Sequence, residues 1–172
     1  SPELLIDDPD LFNEYLSKVY DLALDEDDKK SVLGFTMLKY IYLQKYNFDG
    51  QEGYLYELMK ERGLFEEYMN VIYKLHFSSS NPVVLEETTY VYEQMGDEYV
   101  AKFIDYACNF VSKNISDEKK ISKVDSALIS IRTNIYAKIF MKSPELLDKV
   151  VHIAKISAEN NDKPNRATRD YA

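Results

Sequence analysis

Leu11-Phe12-Asn13-Glu14-Tyr15-Leu16-Ser17-Lys18-Val19-Tyr20-Asp21-Leu22 returns 53 residues later as Leu64-Phe65-Glu66-Glu67-Tyr68-Met69-Asn70-Val71-Ile72-Tyr73-Lys74-Leu75. Six of the twelve positions are identical, and Leu16/Met69 and Val19/Ile72 are conservative exchanges. In the first copy apolar residues recur as Leu11/Phe12, Tyr15/Leu16, Val19/Tyr20 and Ala23, the three-and-four spacing of one helix face. A polar loop follows each copy, and then a second apolar-patterned segment begins, at Val32 and at Val83. The repeated unit reads as helix, short polar loop, helix.

The punctuation around these units is helical. Asp8-Pro9 and Asn81-Pro82 each pair a capping side chain with proline at the first helical position. Asp25-Glu26-Asp27-Asp28 ends the first helix and supplies negative charge to the start of the next. Gly50 and Gly53 bracket a turn, a short helix spans about 54–62, and Gly63 stands where a left-handed C-terminal cap belongs. Asp97 is placed to cap a helix that buries Val100, Phe103, Ile104, Ala107 and Val111. Ser116 opens what reads as the longest helix, 116–141, carrying the stripe Ile121, Val124, Leu128, Ile131, Ile135 and Ile139. Ser143-Pro144-Glu145 opens another. About eight helices result, and no strand. Only five Gly and five Pro in 172 residues agree with this, because a sheet-rich chain needs a turn every eight to twelve residues.

A third instance of the same order, with less identity, starts at Leu146-Leu147, crosses the polar loop 159–165 and reaches a new helical pattern at 166–172. This succession resembles the armadillo/HEAT class of α-solenoids, in which hairpins that cannot bury their apolar faces alone stack into one core. The resemblance implies an all-α, right-handed α-solenoid over 1–172, read as a single helical domain. It also implies a scaffold or adaptor that binds a partner protein or peptide along a helical groove. The 53-residue spacing exceeds the usual period of about 40–47. A compact helical bundle, serving regulation or oligomerisation, is the alternative arrangement. A start at Ser1-Pro2-Glu3 and an end within the pattern Arg169-Asp170-Tyr171-Ala172 suggest an excerpt of a longer chain.

Charge narrows the partner. Residues 1–100 hold 21 Asp and Glu against 8 Lys and Arg, a net of −13, whereas residues 101–172 hold 9 against 13, a net of +4. Polyanion binding requires clustered cations that release counterions, so nucleic acid is not expected. An acidic face instead favours a partner with a basic segment. Cys108 stands alone and cannot form an internal disulfide, which points to a reducing compartment, cytoplasmic or nuclear. With no basic or histidine neighbour in sequence, Cys108 reads as a small core residue. No apolar run reaches about 18 residues, so no membrane insertion is expected.

Motifs for chemistry are missing. His76 and His152 have no metal-ligand company at helical spacing, and neither metal nor cofactor is expected. An EF-hand counted from Asp25 would need glycine at its sixth position and glutamate at its twelfth, where Lys30 and Thr36 stand. Phosphate-cradling glycine loops and the nucleophile elbow do not occur. The reading is non-enzymatic.

Two groups remain as partner-contact candidates. Tyr40, Tyr42, Tyr46, Tyr54 and Tyr56 lie in the aromatic-dense stretch of a chain with 15 Tyr and no Trp. Tyr40 and Tyr42 differ by about 200° around a helix, so at least one should be exposed or lie against another element. Tyr offers a large ring and a polar tip at low entropic cost, which suits interfaces. Lys119, Lys120, Lys123 and Arg132, with Lys138, fall off the apolar stripe of the segment 116–141 and should face solvent.

Overall fold

The computed structural model describes residues 8–43 and 54–161, within which nine α-helices, one 3-10 turn and no strand occur. Two compact units divide the chain, Ser1–Gln94 and Met95–Ala172.

The first unit holds α1 (Pro9–Ala23), α2 (Asp28–Leu43), α3 (Tyr54–Glu61), α4 (Phe65–Ser78) and α5 (Pro82–Met95, whose last residue falls to the second unit). The Asp8 and Gly63 caps are the ones the sequence announces, and the structure adds one at Asp27. The Asp8 carboxylate accepts from the amides of Asp10 and Leu11, and Asp27 accepts from those of Lys29 and Lys30. Each satisfies donors that the first helical turn leaves open. At the end of α3, Leu64 N–H reaches Met59 O and Gly63 N–H reaches Lys60 O, a Schellman closure. Gly63 supplies the φ of +64° that this closure needs.

α1 and α2 form a hairpin whose backbones touch. A Cβ on Gly34 would lie 2.2 Å from Ala23 N, so only glycine fits, and Ser31 Oγ donates to Ala23 O across the same crossing at 2.8 Å. α4 and α5 form a second hairpin, joined by Tyr73 against Tyr92 and by His76 Nδ1 at 3.0 Å from Thr88 Oγ1. α1 packs on α4, and the buried Tyr68 hydroxyl of α4 donates to Leu38 O of α2 at 2.9 Å. The core residues Phe12, Leu38, Ile41, Met59, Tyr68, Met69 and Ile72 are fully buried, each contributing about 1.5–3 kcal/mol relative to exposure.

The second unit holds α6 (Asp97–Asn114), a 3-10 turn (Glu118–Lys120), α7 (Ile121–Asn134), α8 (Ala137–Lys142) and α9 (Glu145–Asn161). α6 is central: it packs against α7, α8 and α9 and buries Val100, Phe103, Ile104, Ala107, Cys108 and Val111.

Two sequence expectations need correction here. The single helix expected over 116–141 is three elements. Asp117, not Ser116, caps the 3-10 turn by accepting from Lys119 N–H, and the chain leaves helical geometry again at Ile135 and Tyr136. At the second break side chains bond the carbonyls of the last turn. Asn134 Nδ2 donates to Ser130 O, and Thr133 Oγ1 donates to the carbonyls of Ile129 and Ser130, so side chains compete for carbonyls at the helix end. The β-branched run Ile131, Thr133 and Ile135 weakens the helix further. The break raises the helix number from about eight to nine among the described residues. Asp97, expected as a cap, is instead the first residue of α6, with Gly96 at the N-cap.

Candidate docking surface

α2 buries Phe35, Leu38 and Ile41 and turns the stripe Lys29, Leu33, Thr36 and Tyr40 outward. α5 buries Val84, Thr88, Val91 and Tyr92 and turns Val83, Glu86, Tyr90 and Glu93 outward. The apolar members are well exposed: Leu33 at 55%, Tyr40 at 52%, Val83 at 59% and Tyr90 at 52%. One exposed large apolar residue is ordinary on any protein. Two pairs at i, i+7 on two linked helices are the informative pattern.

The link is an ion pair. Lys39 Nζ lies 2.7 Å from Glu87 Oε1, and both side chains are about one-third exposed. Lys39 is the neighbour of Tyr40, and Glu87 sits one turn from both Val83 and Tyr90. The pair ties α2 to α5 beside both outward stripes. Half-buried Tyr15 of α1 borders it, with its hydroxyl pKa pushed up by burial and by the nearby Tyr40. Electrostatically the α5 side is negative. α5 contains no Lys or Arg, and exposed Glu86 and Glu93 form no ion pair among the described residues.

Of the aromatic candidates, Tyr40 belongs to this surface. Tyr46 and the side chains of Tyr42 and Tyr54 lie outside the described residues. Tyr56 does not serve as a surface contact: it is 7% exposed, with its ring 4.7 Å from that of Phe65, because α3 folds onto α4. The aromatic density of that stretch is partly core filling. Leu33, Val83 and Tyr90 went unsingled in the sequence, although their i, i+7 spacing off the buried stripes carries the signal.

The basic candidates lie in the second unit. Lys119 and Lys120 are exposed on the 3-10 turn, where Lys120 Nζ donates to Asn114 Oδ1. Lys123 is half-buried, and burial lowers its pKa. Arg132 is exposed but lies nine residues along α7 from Lys123, about 180° around the helix. They do not form one patch.

Two other constellations occur in the second unit. Asp97 gathers three partners from the stretch 136–142: Tyr136 OH at 2.8 Å, Lys138 Nζ at 2.8 Å and Lys142 Nζ at 3.1 Å. These hydrogen bonds hold its carboxyl well below the usual carboxylate range. Between α6 and α9 runs a groove of about 310 Å³ lined by Cys108, Ser112, Asp148, Lys149 and His152. Burial, with Asp105 nearby, pushes the Cys108 thiol up to about 11, which favours its protonated form at neutral pH. Lys149 is engaged with Asp105, and no hydrogen bond joins Ser112, Asp148 and His152 among the described residues. Among those residues no group of three or more His, Cys, Asp or Glu could hold a metal ion, and no helix is long and apolar enough to cross a membrane. No family model, curated protein or solved structure matches the chain.

Proposed function

We propose that the chain is a non-enzymatic protein-docking module of the cytosol or nucleus, built as stacked helical hairpins in the manner of armadillo/HEAT solenoids. Its partner sits against the outer helices α2 and α5. The exposed apolar stripes joined through Lys39 and Glu87 carry the docking half of this reading. Such a surface is costly in water unless something covers it.

The stacking half is supported within the first unit. First helices meet first helices, α1 on α4, while the second helices α2 and α5 are linked by the ion pair. The two copies of the repeated segment bury corresponding positions. Leu16/Met69, Val19/Ile72 and Tyr20/Tyr73 are buried in both, yet exposed Lys18 corresponds to Val71 at 5% exposure.

The reading is tested with Leu33→Ser/Val83→Ser. Exposed positions of this kind shift stability by only about 0.5 kcal/mol, so the melting temperature should hold. Proteins retained by the immobilised chain should be lost with the double variant. An unchanged set at an unchanged melting temperature would remove this surface from consideration. A second reading, an oligomerisation domain, is favoured by α9, where Leu147 at 49% and Val151 at 44% continue into exposed Ala154 and Ala158.

A further inference from the structure

Resting on the docking reading, we infer that the occupant of the α2–α5 surface is an amphipathic helix with Lys or Arg along the edge that meets α5. The spacing argues for a helix. Leu33 to Tyr40 and Val83 to Tyr90 are each seven residues, about 10.5 Å along the axis. An incoming helix repeats its own anchors over the same distance, at i, i+3, i+4 and i+7. Two outward rows of large apolar side chains with a surface ion pair between them can flank such a row of anchors.

Charge argues for the basic edge. Beside Val83 and Tyr90 stand Glu86 and Glu93, both exposed, while Glu87 is neutralised by Lys39. No cation on α5 opposes them. On the α2 side the outward stripe carries Lys29 at its start and is otherwise uncharged. The surface is therefore asymmetric, acidic along one helix only. A helix cationic on one flank fits it in one orientation, and a helix anionic there brings like charges together.

The probe is a set of three 18-residue peptides titrated into the ¹⁵N-labelled full chain at about 150 mM salt, near the ionic strength that limits charge effects to about 8 Å. The first is a Leu/Lys amphipathic helix. The second replaces every Lys by Glu. The third keeps the Leu/Lys composition but scrambles it to destroy the apolar face. The Leu/Lys peptide should shift amides of α2 and α5 saturably. The Glu peptide should bind at least tenfold more weakly, and Glu86→Lys/Glu93→Lys should reverse that preference while the circular dichroism spectrum stays unchanged. Equal binding of the Lys and Glu peptides at α2 and α5 would overturn the basic edge and leave the docking reading standing. Equal binding of the scrambled peptide would overturn the helix. Shifts elsewhere in the chain, or none, would overturn this inference and remove the surface from the docking reading as well.

Discussion

Cys108 lies at 2% exposure on the buried face of α6, where its thiol is pushed up from 9.0 to about 11. An acid with a raised folded-state pKa favours the fold only while it stays protonated. Between about pH 9 and about pH 11 the unfolded chain binds fewer protons than the folded one, so stability falls as pH rises. Two units correspond to a loss on the order of 2 kcal/mol. Urea unfolding from pH 8 to 11 should show Cys108→Ala with a shallower alkaline decline than wild type, the remainder belonging to tyrosines. Identical slopes would mean that the thiol is more accessible than its burial indicates. The single cysteine was legible in the sequence as a core residue. Asp97 was not legible as what it is, because its partners Tyr136 and Lys142 lie 39 and 45 residues away. Sequence reads caps, whose partners are two or three residues off, far better than such junctions. Asp8 and Gly63 are cases in point.

Between elements, that Asp97 junction ties the start of α6 to the segment 136–142. A carboxyl held below its ordinary value contributes stability above the unfolded pKa, near 3.8, and loses it as pH falls toward the folded one. Wild type should therefore melt above Asp97→Asn at neutral pH, and thermal scans should show the gap narrowing between about pH 4 and pH 2. A constant gap across that range would assign the effect to shape rather than charge. The same region shows why element boundaries escaped the sequence. The stripe Ile121 to Ile139 keeps helical spacing across the break at Ile135 and Tyr136. Periodicity registers which residues face inward and is blind to a short extended link that preserves the phase. At the break Asn134 and Thr133 bond carbonyls of the preceding turn, and both are polar residues near a helix end.

At the scale of the whole molecule, the all-helical class followed from scarce Gly and Pro together with three-and-four spacing, and the described residues are helical accordingly. The docking surface was half legible. Tyr40 stands out in the sequence by its aromatic company, whereas Leu33 and Val83 gain meaning only from the link of α2 to α5 through Lys39 and Glu87. Repetition in sequence supports the stacked-hairpin proposal without measuring it, because the same two hairpins can close into a bundle. Small-angle scattering, with light scattering to fix the mass, tests the proposal most directly. A 172-residue chain packed as one compact body has a radius of gyration of about 16 Å. The stack predicts a monomer clearly above that value, with an elongated pair-distance distribution. A monomer at about 16 Å with a symmetric distribution would contradict the stack and favour the compact bundle.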